Sequence, residues 1–70
     1  MFWWYERRGE LARVEVLQIA QDHYELRVIY ADGTDRVETF SNADALAKRQ
    51  EEVQRAMSEE GWTGPHGWVM

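Results

Sequence analysis

Few side chains in this chain could do chemistry. It has two histidines, His23 and His66, and no cysteine. Neither histidine has a second at metal-ligand spacing, so a zinc site would have to recruit scattered carboxylates. The sequence therefore implies no metal and no cofactor. The hydroxyls are Thr34, Thr39, Ser41, Ser58 and Thr63. Ser41 is better explained as a helix cap, Ser58 falls inside a helix, and no Ser/His/Asp grouping stands out. Glu51-Glu52 and Glu59-Glu60 are paired only in sequence, because adjacent helix positions do not face one another. Asp32-Gly33-Thr34-Asp35 lacks the spacing and closing glutamate of a calcium loop. Gly61-Trp62-Thr63-Gly64-Pro65 lacks the Gly-Lys-Ser/Thr of a phosphate loop. The expectation is a non-enzymatic protein with no catalytic residues.

The set with chemical content is aromatic and basic. Four tryptophans, three tyrosines and two phenylalanines occur in 70 residues, and seven of the eight basic residues are arginine. Aromatics on a sheet flanked by arginine can stack single-stranded nucleic acid. The same residue types are enriched where proteins meet one another. Thirteen acids against eight bases give a net charge of −5. A phosphate backbone is bound by displacing its counterions with cations, so the acidic balance favours a protein partner. Residues 1–21 balance three glutamates with three arginines, and the acidic excess lies beyond them.

Those residues must be positioned by one small domain spanning 1–70. Strands are predicted at about 2–7, 10–20, 23–31 and 34–40. In the third, Tyr24, Leu26, Val28 and Tyr30 alternate with His23, Glu25, Arg27 and Ile29, the period-2 pattern of a half-buried strand. Asp32-Gly33 is a strong hairpin signal. As a two-residue loop it places Val28 opposite Val37 and Arg27 opposite Glu38. A three-residue loop with a bulge at Gly33 places Phe40 opposite Tyr24 instead, and the first register is preferred. In the second strand the alternation slips between Val16 and Leu17, which marks a bulge or two buried faces. A helix is predicted over about 42–60, with Ser41 as N-cap, Asp44 completing a capping-box-like pair, and a thin stripe of Ala43, Leu46, Gln50, Val53, Ala56 and Met57 facing inward. Gly61 is placed at C′ and Trp62 at C″, where it packs on Met57 in a Schellman motif. By composition, residues 61–70 read as an irregular tail.

The fold class is thus α+β: an antiparallel three- to four-stranded meander with one C-terminal helix on one face, in the order ββββα. Counting outward from the turns gives one face Phe2, Trp4, Leu11, Leu17, Ile19, Tyr24, Leu26, Val28, Tyr30 and Val37, the expected seat of the helix. The other face receives Trp3, Tyr5, Ala12, Val14, Val16 and Ile29, edged by Arg7, Arg27, Arg36 and Glu38. One helix covers one face, so the second face stays open and marks a contact site. Its predicted binding or dimer residues are Trp3, Tyr5, Val14, Val16, Arg27, Ile29 and Arg36. Small size argues the same way, since a lone core this small supplies only about 3–5 kcal/mol. The expected partner is a second copy, with another protein next and nucleic acid through the same face as the alternative. No run approaches the about 20 apolar residues of a membrane span. The opening Met1–Tyr5 is too short and its basic residues follow it, so no signal peptide is expected. Absence of cysteine suits a reducing compartment, and a cytoplasmic location is expected.

Two resemblances accompany this reading. Four strands and a helix, with Arg7-Arg8-Gly9 at the first turn and Asp44-Ala45-Leu46-Ala47-Lys48 opening the helix, resemble in outline one repeat of the PUR-type single-strand nucleic-acid-binding domains. That resemblance implies pairing of two repeats, here by dimerisation. The stretch from Tyr24 to Trp62 is similar to small uncharacterised bacterial proteins that share a hairpin closed by Asp32-Gly33, Phe40 before a charged helix, and Gly61-Trp62. It implies a fold and no activity.

Overall fold

The computed structural model describes the backbone of residues 1–69 and the side chains of residues 1–67. Its elements are β1 Phe2–Arg7, β2 Glu10–Ala20, β3 His23–Ile29, β4 Asp35–Phe40, α1 Ala43–Glu59 and β5 Thr63–Val69. All strand pairs are antiparallel, in one sheet of order β4-β3-β2-β1-β5. The α+β class is as expected, but the sheet has five strands. The segment read as an irregular tail runs back along the free edge of β1, with Phe2 opposite Val69, Trp4 opposite His66 and Glu6 opposite Thr63. Gly64, Pro65 and Gly67 give it the composition of a loop. What makes it a strand is the row of unpaired N–H and C=O groups that β1 would otherwise expose. The pairing is irregular, with register shifts on both sides of Trp4.

Three turns set which side chains share a face. Arg8 and Gly9, both at positive φ, form a two-residue turn between β1 and β2. The β3–β4 connection is the three-residue alternative. Tyr30 N–H donates to Thr34 O at 2.8 Å and Gly33 N–H donates to Tyr30 O at 3.0 Å. The Asp32 carboxylate accepts from Thr34 N–H at 2.9 Å. Phe40 therefore lies opposite Tyr24, Val28 opposite Arg36 and Arg27 opposite Val37, which replaces the preferred two-residue register. Between β2 and β3, Ala20 pairs with His23 but Gln18 pairs with Tyr24. Ile19 is the extra residue of a bulge, displaced from the slip expected at Val16–Leu17. Beyond it, Val16 pairs with Leu26 and Val14 with Val28.

Helix α1 starts one residue later than expected. Its N-cap is Asn42 rather than Ser41: the Asn42 backbone is extended, and its Oδ1 accepts from Ala45 N–H at 2.7 Å. The capping partner three residues on is then Ala45, so no capping box forms, and Asp44 instead places its charge in the positive first turn. At the other end, Trp62 N–H donates to Met57 O at 3.0 Å and Gly61 N–H to Ser58 O at 3.1 Å. These are the two bonds of a Schellman motif, with Gly61 at φ +89 supplying the left-handed C′ residue. Trp62 and Met57 are both buried in the core cluster. The helix has no basic residue in its last turn. Arg7 of β1 supplies one, donating from Nη1 to Glu60 O at 2.9 Å while its guanidinium sits 4.4 Å over the Trp62 ring. Trp62 Nε1–H finds no acceptor among the described residues.

The core lies between α1 and one sheet face. Leu46, Val53 and Met57 of the helix cover Trp3, Tyr5, Ala12, Val14, Val16, Leu26 and Val28, with Tyr24, Tyr30 and Phe40 packed around them. This is the face expected to stay open. Its residues Trp3, Tyr5, Val14 and Val16 are 2%, 2%, 0% and 7% exposed and are core, not contact surface. The bulge at Ile19 is the reason: it shifts β3 by one residue against β2, which turns Leu26 and Val28 onto the side of Val14 and Val16. The three-residue β3–β4 loop then brings Phe40, the last residue before the helix connection, to that same side. No helix of the described residues is long and apolar enough to cross a membrane.

Candidate interaction face

The open face is the one expected to seat the helix. On β2 it presents Leu11, Arg13, Glu15 and Leu17, alternating with the buried Ala12, Val14 and Val16. In register, Phe2 and Arg27 flank Glu15, and Trp4 and Ile29 flank Arg13. Val37 lies beside Arg27 on the edge strand. Phe2, Val37, Leu11 and Leu17 are 38–52% exposed, so this side of the sheet keeps four large apolar side chains in water, and Ile19 at the bulge is 55% exposed. Of the residues predicted for a contact face, Arg27 and Ile29 lie here. Arg36 lies on the helix side, opposite Val28, in a cleft of about 420 Å³ bounded by β4 and α1. The residues that sequence reasoning placed in the core and the structure exposes are Phe2, Leu11, Leu17, Ile19 and Val37. Their signal was the slipped alternation of β2, which reports that a bulge exists without saying where.

Between Phe2, Trp4, Leu11, Arg13, Ile29 and Tyr30 the face is hollowed, with a volume of about 530 Å³. The Trp4 indole is pressed against the β5 backbone at Gly67: a Cβ there would overlap Trp4 Cζ3 and Cη2. His66 stands beside the same ring, 6.4 Å between centroids. The charges of this face are paired with each other. Arg13 meets Glu15 at 3.4 Å, and Arg27 meets Glu25 at 3.3 Å and Asp35 at 3.6 Å. Both guanidiniums are thus neutralised by acids of the same surface.

Thr63 Oγ1 lies 3.3 Å from His66 Nε2, but the hydroxyl donates its proton to Glu6 O at 3.0 Å. A hydroxyl committed to a carbonyl is not poised to be deprotonated by the imidazole. Arg49, at the other cleft, is clamped to Glu38 at 2.7 Å, and that bond raises its already high pKa. Burial pushes the Tyr5 phenol above its ordinary value, opposed by the hydrogen bond it accepts from Trp3 Nε1–H at 3.3 Å. Among the described residues no cluster of three His, Asp or Glu could hold a metal ion. Compared with known proteins, the chain matches no family model, no curated protein and no solved structure.

Proposed function

We propose that this is a cytoplasmic, non-enzymatic interaction domain that pairs with a second copy of itself through the sheet face opposite the helix. The observation that carries the reading is the set of four large apolar side chains, Phe2, Leu11, Leu17 and Val37, each more than a third exposed, on one face of a 70-residue domain. Apolar surface gathered on one side of a small protein marks a contact site. The domain measures 38 × 21 × 20 Å, so one face has room for at most about the 800 Å² that each partner contributes to a standard interface. Sedimentation equilibrium tests this. A dimer at micromolar concentration, converted to a folded monomer by Leu17→Lys, is the expected result. A wild-type chain that stays monomeric at high micromolar concentration overturns it.

Single-stranded nucleic acid could use Phe2 and Trp4 for stacking, but the cations it needs, Arg13 and Arg27, are already matched to acids. Oligonucleotide binding at low salt, lost on Trp4→Ala with Arg27→Ala, would favour that reading over self-association.

A further inference from the structure

The outward side of β2 reads Leu11, Arg13, Glu15, Leu17. Taken backwards it is apolar, acidic, basic, apolar. A strip of this kind is complementary to a copy of itself laid antiparallel across it. We propose that the two copies stack sheet on sheet about a two-fold axis that lies in the interface and crosses the strands at the level of Val14. This rests on the self-association reading above and specifies its geometry. Leu11 of one copy then meets Leu17 of the other, Arg13 meets Glu15, and both contacts occur twice.

The neighbouring strand β1 agrees with the arrangement, while on β3 it lays the Arg27 stem of one copy over Ile29 of the other. Phe2 sits at the level of Glu15 and Trp4 at the level of Arg13, so the same operation lays Phe2 of one copy on Trp4 of the other. The contrasting axis, parallel to the strands, stacks Arg13 on Arg13 and Glu15 on Glu15. Like charges placed together in an interface are strongly disfavoured and are a common means of setting register. The pairs Arg13 and Glu15 form within one chain are exposed and so worth little by themselves. Between two sheets they become a closed, alternating square of four charges. The natural twist of each sheet lets the strands cross at about −30° while β2 stays over β2.

The chain contains no cysteine, so introduced thiols report the geometry directly. Stacked sheets lie about 10 Å apart, beyond the about 7 Å limit between Cα atoms in a disulfide, and a short bis-maleimide is the suitable probe. Chains carrying Leu11→Cys and chains carrying Leu17→Cys should cross-link when mixed. Each alone should not, because like positions would lie about 20 Å apart along the strand. In a second experiment, Arg13→Glu and Glu15→Arg should each weaken homodimerisation by about tenfold or more. Mixing the two variants should restore wild-type affinity. Self-linking of Leu17→Cys, or a mixed pair that fails to link in a chain that does dimerise, overturns the orientation while leaving self-association standing. A wild-type monomer at high micromolar concentration overturns both.

Discussion

Gly67→Ala is the sharpest test of how the C-terminal strand is held to the sheet. Gly67 has φ +62, where an L-residue with a Cβ costs about 1–2 kcal/mol. The new methyl would also occupy the space of the Trp4 indole, overlapping Cζ3 and Cη2. Overpacking of that kind costs about 1–3 kcal/mol more. The two contributions together remove about 2–5 kcal/mol, as much as the about 3–5 kcal/mol that a lone core of this size supplies. For a domain this small the midpoint of thermal unfolding should fall by about 8–40 °C. Urea denaturation followed by tryptophan fluorescence, at one fixed protein concentration because self-association would shift the midpoint, gives the number. The Trp4→Ala background separates the two causes. With the ring gone, Gly67→Ala should cost only its backbone share, leaving a coupling of about 1–3 kcal/mol between the sites. A Gly67→Ala protein within about 0.5 kcal/mol of wild type, or one equally destabilised in both backgrounds, would refute the packing of Trp4 on β5 described above.

Other outcomes follow from the same structure. Leu26, 1% exposed, should lose about 2–5 kcal/mol on change to alanine. Leu17→Ala, on the wet face, should change the unfolding energy of the monomer by no more than about 0.5 kcal/mol; equal costs for the two would place the core on the wrong side. Asn42→Ala should cost about 1 kcal/mol through loss of the bond to Ala45 N–H, while Ser41→Ala stays near wild type; the reverse result in denaturant melts would reassign the cap. Burial raises the Tyr5 pKa above 10.0, so as pH climbs past 10 the unfolded chain releases its proton first. The stabilising preference for the neutral phenol is complete below pH 10 and is lost as pH rises through the folded value. Tyr5→Phe should flatten that alkaline decline in stability, measured as urea midpoints across the pH series.

The first four strands and the helix were legible in the sequence because their signals are local. Alternation over Tyr24–Ile29 needs only neighbouring residues to be read, and so does the glycine at position 61 that ends the helix and seats Trp62. The α+β class followed from strands in succession and then one helix. The face that became the core was not legible. In a strand every side chain changes sides with a one-residue shift, and here a single bulged residue, Ile19, together with a three-residue loop at Ala31-Asp32-Gly33, decided the parity of half the sheet. The sequence does show two apolar faces of similar weight, and nothing local ranks them.

Tertiary structure made that ranking by summation. With Leu26 and Val28 added to Trp3, Tyr5, Ala12, Val14 and Val16, one face became continuous enough to bury against three helix side chains. The other retained Arg13, Glu15, Glu25 and Arg27 among its apolar residues and was left to water. The route of the last strand was decided the same way. Its glycines and proline carry no strand signal, yet β1 offered an unpaired edge, and backbone hydrogen bonding is satisfied wherever such an edge can be met. Residue types by themselves determined that this protein has more apolar strand surface than one helix can cover. Only long-range register determined that the excess consists of Phe2, Leu11, Leu17 and Val37, because register is a property of strand pairs and not of any one strand.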